Sequence, residues 1–186
     1  MTPLINLHNT VFDLVQKLAG DWLLPTLARF AFAAVLLGYF WNSAVTKLGD
    51  GVFGFLSPSF GGYTQIWPRA VEAAGYDLSA MSWFQWLVVV GGTVAEFTLP
   101  LLILLGLFTR LAAVAMIGFV FVQSLTDIIG HHADPTTIGA WFDRIHDSQI
   151  LDQRLFWVTI LITLVVKGAG PLSLDRMFSG KAQSTA

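Results

Sequence analysis

Residues 84–111 read FQWLVVVGGTVAEFTLPLLILLGLFTRL, an apolar run with one carboxyl, Glu96, near its middle. As a helix, residues 84–106 would extend roughly 34 Å, enough to cross a hydrocarbon layer of about 30 Å. An ionisable side chain at that depth costs about 3 kcal/mol or more and commonly marks a functional site. Pro100 lacks an N–H, so it removes the helical partner of the Glu96 carbonyl. The stretch predicts a transmembrane helix with a polar site inside it.

The composition is typical of an α-helical membrane protein. Of the 186 residues, 55% are hydrophobic and 12% are charged, whereas soluble domains carry about 25% charged residues. The net charge of −2 gives no reason to expect nucleic-acid binding. The sequence contains no cysteine, which excludes thiol–disulfide exchange and the ligation of an iron–sulfur cluster by cysteine.

Four apolar runs predict an all-α, polytopic bundle of four transmembrane helices. We predict one membrane domain over residues 21–176, with spans at about 22–42, 84–106, 111–129 and 154–169. The connection between the second and third spans is short, so these helices are expected to be antiparallel neighbours. Residues 1–20 are too polar to span, and their apolar positions at helical spacing predict an amphipathic helix along the membrane interface. Residues 177–186 are expected to form a disordered tail.

The basic residues near the span ends indicate the orientation of the chain, because cytoplasmic loops carry an excess of lysine and arginine. The side of the N-terminus has Lys17, Arg110, Lys167, Arg176 and Lys181. The opposite side has Lys47, Arg69, Arg144 and Arg154. Acidic loop residues are concentrated on that opposite side. The pattern favours a multi-pass protein with both termini in the cytoplasm.

Arg29, Glu96 and Gln123 are the candidates for a buried polar site. Arg29 and Glu96 lie roughly 10 Å and 15 Å inside the same membrane surface, by the rise of a helix. Because an arginine side chain can close that gap, we predict an Arg29–Glu96 ion pair. Two roles are open for the pair. It could form a functional site, as intramembrane charges often do, or it could only fix the packing of the bundle.

A second polar layer lies towards the end of the third predicted span, at Gln123, Thr126 and Asp127. These residues could face a cavity that leads to the external side, with Lys47 and Asp127 at its entrance. Alternatively, they could reach the interface or cap the helix end. That alternative is favoured for Asp127, which lies within a turn of the loop. Both interpretations are kept open for Gln123.

The external loop contains His131, His132 and His146, a residue type that ligates zinc or copper. Their spacing in the sequence matches no tight metal-binding motif. We therefore predict no metal site. The three histidines are only weak candidates for metal ligands.

Two sequence motifs resemble a known family. Glu96 is followed by a GLxTRL motif at residues 106–111, and a GPLSLD motif follows the last predicted span at residues 170–175. Together with a Lys–Leu pair at residues 47–48, they resemble the DoxX family of small four-span membrane proteins. The resemblance covers roughly residues 22–176. Its motif residues are Gly106, Thr109, Arg110, Gly170, Pro171 and Asp175.

The resemblance implies a bacterial inner-membrane protein with a link to respiratory redox chemistry. We expect a quinone-linked accessory subunit of a membrane redox or respiratory complex, in which Glu96 exchanges a proton or a hydrogen bond with a quinone oxygen and Arg29 sets its charge. The chain shows no intrinsic cofactor site, so the expected ligand is a bound quinone or lipid. Electrons would come from a partner. Whether the chain is itself an enzyme stays open.

Two other functions are compatible with the sequence. The first is a non-catalytic structural or assembly subunit that docks a partner membrane protein through the external loops. The second is a transporter of protons or small solutes, although four spans leave little room for a conduit unless the protein is a homo-oligomer. Membrane lipids are expected partners in every case.

Overall fold

Helices form all of the regular secondary structure that the computed structural model describes, which covers residues 2–183. In chain order they are α1 (Thr2–Ala19), α2 (Leu23–Lys47), α3 (Phe60–Ile66), α4 (Pro68–Ala73), α5 (Trp83–Leu105), α6 (Thr109–Gly130), α7 (Pro135–Ile138), α8 (Leu151–Lys167) and α9 (Leu174–Gln183). A short 3-10 helix, Leu78–Ala80, lies between α4 and α5. The predicted all-α class is confirmed.

Three of these helices are long and apolar enough to cross a membrane. They are α2 with 25 residues, α5 with 23 and α6 with 22. They correspond to the first three predicted spans, although α2 continues beyond its predicted end. The helix at the fourth predicted span, α8, is shorter and has 17 residues.

The helices α2, α5, α6 and α8 pack around one apolar core. Each contacts two neighbours, in the cyclic order α2, α5, α6, α8 and back to α2. The core is filled by fully buried apolar side chains, among them Phe32, Phe40, Ile103, Met116, Leu161 and Leu164. Since lipid is as apolar as these residues, close van der Waals packing rather than escape from water holds such a bundle together.

The connections fall at two ends of the bundle. At one, which we call the long-loop end, residues 48–82 and 131–150 form the longer connections, and α3 and α4 pack there against α5 through Tyr63, Val71 and Val89. At the other, the turn end, residues 106–108 join α5 to α6 and residues 168–173 join α8 to α9. Helices α5 and α6 are therefore neighbours in contact, as the short turn between them predicts.

The two motifs that suggested a family contact each other at the turn end. The Asp175 carboxylate accepts hydrogen bonds from the backbone amides of Phe108 at 2.7 Å and Thr109 at 3.0 Å. The Asp175 amide in turn donates to the Gly106 carbonyl at 2.8 Å. A carboxylate in this position satisfies free amides at the start of α6 and interacts favourably with the helix dipole. Arg110 extends the connection by donating to the Val166 carbonyl of α8 at 3.2 Å.

Gly106→Ala is expected to lower the free energy of unfolding by about 1–3 kcal/mol. Gly106 has a φ of +66°, and an added Cβ would lie 2.5 Å from Ser173 Cβ and 2.8 Å from Arg29 Cζ. The matched control is Gly91→Ala in α5, where an added Cβ meets nothing within 4 Å. The midpoint of thermal unfolding in detergent measures the difference. A Gly106→Ala protein as stable as the control would contradict the predicted clash.

Both terminal segments contain a helix, α1 before the bundle and α9 after it. Residues 2–19 form one helix, α1, and its apolar side chains, including Leu4, Leu7 and Leu14, are exposed. The predicted disordered tail is wrong over residues 177–183, which belong to α9. Ser173 starts that helix, because its hydroxyl accepts a hydrogen bond from the Arg176 amide. Residues 184–186 of the predicted tail lie outside the described residues.

Candidate functional site

A polar cavity of about 400 Å³ lies between the four packed helices towards the long-loop end. All four helices contribute to its wall, together with residues of both long connections. Its polar lining includes Ser43, Lys47, Glu96, Gln123, Asp127 and Arg154. The cavity therefore brings together charged and polar side chains from all four helices, and Arg29 is not among them.

Lys47 and Glu96 form a buried ion pair across α2 and α5. The Lys47 ammonium lies 2.9 Å from Glu96 Oε2 and 3.0 Å from Oε1, and the two side chains are 4% and 6% exposed. Lys47 also donates to the hydroxyl of Ser43 at 2.7 Å, and that hydroxyl donates to Glu96 at 3.2 Å. The side chain of Lys47 points back along its own helix, as helical geometry favours. Lys47 is thus the counterion of Glu96 rather than an entrance residue.

The predicted Arg29–Glu96 ion pair is wrong. Arg29 donates instead to backbone carbonyls at the turn end, those of Ile103, Leu104, Ala169 and Leu172. The last carbonyls of a helix have no partner within the helix, and they attract cations through the helix dipole. These carbonyls satisfy the guanidinium at its own end of the bundle, while Glu96 is already neutralised by Lys47.

Asp127 and Arg154 form a second ion pair, across α6 and α8. Arg154 also donates to the Ser124 hydroxyl at 2.8 Å, and its guanidinium lies 5.9 Å from the centre of the Trp157 ring. The interpretation favoured for Asp127, a contact at the helix end, is therefore incorrect. Its carboxylate has a partner on the neighbouring helix and belongs to the cavity wall.

The Gln123 side chain lines the cavity, which is one of the two interpretations that the sequence left open for this residue. Its amide Nε2 donates to the Tyr39 hydroxyl at 2.8 Å, which links α6 to α2 across the bundle. Two buried polar atoms of the lining have no hydrogen-bond partner among residues 2–183, namely Gln123 Oε1 and Arg154 Nε. Both atoms are enclosed by the protein, and leaving such groups unsatisfied is costly.

The long connections hold the rim of the cavity. His131 contacts the Gln65 carbonyl at 2.9 Å, and His132 contacts the Arg69 guanidinium at 2.9 Å. Asp134 caps α7, and hydrogen bonds from Thr136 and Thr137 hold the pKa of its carboxyl well below the usual range. Within the described part of the chain, no group of three His, Asp or Glu side chains is placed to hold a metal ion. The three loop histidines are therefore not brought together as ligands.

Sequence reasoning missed Tyr39, Ser43 and Arg154 as site residues. A signal for the first two was present, because Tyr39, Ser43 and Lys47 recur every four residues and so share one face of α2. Arg154 carried no comparable signal, since a single basic residue at the start of a span is typical of the membrane interface.

No family model, no curated protein and no solved structure matches this chain.

Proposed function

We propose that the chain is a DoxX-like integral membrane protein that binds a quinone headgroup in the cavity, as an accessory subunit of a membrane redox or respiratory complex. The observation that carries the proposal is the buried Lys47–Glu96 pair on the wall of a cavity of about 400 Å³. Small-molecule sites occupy about 300–1,000 Å³ and combine apolar walls with a few placed polar groups. Tyr39, Phe119 and Val122 supply aromatic and apolar wall here.

The proposed membrane arrangement extends the three candidate spans to four. Helix α8 completes the ring with α2, α5 and α6, and 17 residues are at the lower limit of a spanning helix. In this arrangement both termini are cytoplasmic, the long-loop end is external, and the membrane is the bacterial inner membrane. Helix α1 lies along the cytoplasmic interface, where its exposed apolar side chains contact lipid.

The chemistry centres on the Glu96 carboxylate. The Lys47 ammonium is engaged by Ser43 and Glu96, so it serves as a fixed counterion. A carboxylate has more acceptor positions than these contacts use, so Glu96 accepts a hydrogen bond from a quinol hydroxyl. When the quinol is oxidised, both electrons pass to the redox centre of a partner membrane protein. The proton of the hydroxyl bound to Glu96 leaves through that carboxylate, and the proton of the second hydroxyl leaves directly, both to water at the long-loop end. Reduction reverses these steps.

Glu96→Gln is expected to weaken quinol binding about tenfold or more, because a hydrogen bond to a charged group is worth about 1.5–3 kcal/mol. Titration of the purified protein in nanodiscs with a short-chain ubiquinol, followed by tryptophan fluorescence, measures the affinity. Glu72→Gln is the matched control, since Glu72 is exposed on α4 and does not line the cavity. Should Glu96→Gln prove unstable, Lys47→Met combined with Glu96→Gln keeps the site neutral. Unchanged affinity in these variants would refute the proposal.

A structural or assembly role is the second candidate, and one observation favours it. Trp141, Phe142 and Ile145 lie in the second long connection and are all exposed. Such a cluster fits contact with a partner membrane protein. Pull-down from native membranes with wild type and with Trp141→Ala/Phe142→Ala compares the two candidates. If Glu96→Gln abolishes partner recovery while quinol affinity is unchanged, the assembly role replaces the redox role.

A further inference from the structure

We infer that the turn end of the bundle holds a binding site for an anionic phospholipid, whose phosphate contacts Arg110, Lys167 and Arg176. These three residues, which we call the basic cluster, are all exposed. The site is separate from the proposed quinone cavity, which lies towards the long-loop end. The inference therefore goes beyond the proposed function and does not depend on it.

The turn end lies at the level where the bundle meets the membrane boundary. Of the three helices that are long and apolar enough to span, α2 begins there at Leu23, α5 ends at Leu105 and α6 begins at Thr109. Helix α8 also ends there, at Lys167. Trp22 precedes α2 and is exposed, and tryptophan is enriched at the level of the lipid headgroups. Exposed side chains at these helix ends are therefore within reach of headgroups.

Contacts between distant segments bring the basic cluster together. The Arg110 guanidinium donates to the Val166 carbonyl at 3.2 Å, which places it beside Lys167. The Asp175 carboxylate accepts hydrogen bonds from the first amides of α6, which places Arg176 next to the turn that precedes Arg110. Among the described residues, no carboxylate forms an ion pair with any of the three. Their charges are thus available to an external anion.

The charge balance of the turn end favours an anionic ligand. Asp175 lies beside the basic cluster, but both of its carboxylate oxygens accept backbone hydrogen bonds. The exposed carboxylate of Asp21 precedes α2 at this end, and α1 carries one charge of each sign, Asp13 and Lys17. Three exposed cations therefore outweigh the acidic groups around them. Each basic residue near an anionic bilayer surface strengthens binding about fivefold.

An apolar cleft at the same end favours a lipid over a free phosphate. The cleft has a volume of about 710 Å³, and Leu107, Phe108 and Phe178 contribute apolar walls to it. Both phenylalanines are exposed. The cleft shares Asp175 with the contacts that hold the basic cluster, so apolar and cationic surfaces adjoin. A phospholipid combines an anionic headgroup with apolar chains and matches both surfaces.

The test compares short-chain phosphatidylglycerol with the matching phosphatidylcholine on the purified protein in a neutral detergent, with native mass spectrometry as the readout of bound lipid. We expect phosphatidylglycerol to bind about tenfold or more tightly. Lys167→Gln/Arg176→Gln should remove most of this preference and leave phosphatidylcholine binding unchanged. Arg69→Gln/Arg144→Gln is the matched control, because it removes two exposed charges from the long-loop end. The control variant should keep the preference of the wild type.

The remaining arms identify the source of the anion. Inorganic phosphate at equal concentration should not displace phosphatidylglycerol, and displacement would refute the assignment to a lipid. Phe178→Ala should weaken both lipids by a similar factor, because both carry the same chains. Equal affinity of the wild type for the two lipids, or an equal loss of preference in the control variant, would refute the site. If Lys167→Gln/Arg176→Gln does not fold, raising the salt concentration from about 0.1 M to about 1 M decides, since screening should abolish the preference of the wild type. A preference that persists at high salt would contradict the inference.

Discussion

Lys47→Met is expected to lower the free energy of unfolding by about 3–5 kcal/mol, the typical effect of removing one partner of a buried ion pair. The Lys47 and Glu96 side chains are 4% and 6% exposed, so water compensates little of the lost ammonium. Ser43 would still donate to the carboxylate, but one neutral hydroxyl does not compensate a buried charge. Reversible unfolding in mixed micelles measures the change.

The double variant Lys47→Met/Glu96→Leu provides the decisive control. A buried ion pair replaced by apolar residues of similar volume is often neutral or more stable, so the double variant should recover most of the stability that Lys47→Met loses. The coupling energy from this double-mutant cycle should be several times the additivity error of about 0.5 kcal/mol. Strictly additive effects would show that the two side chains do not depend on each other. The recovered protein should still fail to bind quinol, which separates the stability of the bundle from its proposed function.

The fold was predictable to the extent that long apolar runs specify helices. The runs that contain α2, α5 and α6 leave few alternatives to a spanning helix, and the short turn after Gly106 fixes α5 and α6 as neighbours. The cyclic order of the four helices was not predictable, because apolar faces of similar composition can pack in more than one order. The cyclic order of the helices decides which polar residues face each other. The composition of the cavity wall therefore could not be predicted from the sequence pattern.

The choice between Lys47 and Arg29 as the partner of Glu96 shows this limit. The depth of a residue along its helix can be counted, but the direction of its side chain around the helix cannot be extrapolated across an irregular turn. Such a turn occurs in α2, where residues Ala33–Leu37 form a π-helical segment between Arg29 and Lys47. A π-turn accommodates an extra residue and so rotates everything after it by about 100° relative to a regular helix. The face of Arg29 therefore did not predict the face of Lys47.

The turn end was unpredictable for a different reason. Asp175 follows α8 in the sequence, yet it caps α6, whose first residues lie far earlier in the chain. Local capping rules search within a few residues of a helix start, so they cannot find a cap that a distant segment supplies. The resemblance connected the GLxTRL and GPLSLD motifs only as co-occurring pieces of sequence. Their contact gives a physical reason for both, since one motif closes the turn and the other caps it.

Arg29→Met is expected to lower the free energy of unfolding by about 3 kcal/mol, because the guanidinium satisfies carbonyls at the end of α5 and in the connection between α8 and α9. It lies 3.0 Å from the Ile103 carbonyl and 3.1 Å from the Ala169 carbonyl, with further contacts to Leu104 and Leu172. Hydrogen bonds to charged groups contribute about 1.5–3 kcal/mol each, and water at the turn end would recover part of the loss. Arg29→Lys should be intermediate, since an ammonium keeps the charge but cannot reach as many carbonyls.

A double-mutant cycle between Arg29 and Glu96 distinguishes the observed arrangement from the ion pair that the sequence suggested. Because Arg29 contacts only the turn end and Glu96 is held by Lys47 and Ser43, the effects of Arg29→Met and Glu96→Gln should add within about 0.5 kcal/mol. Arg29→Met should also leave quinol affinity unchanged in the folded fraction. A coupling energy as large as that between Lys47 and Glu96 would instead require the guanidinium to reach the carboxylate, and a drop in quinol affinity would make Arg29 part of the cavity. Arg29 and Arg154 would then no longer have separate roles, in which Arg154 belongs to the cavity wall and Arg29 stabilises the turn end.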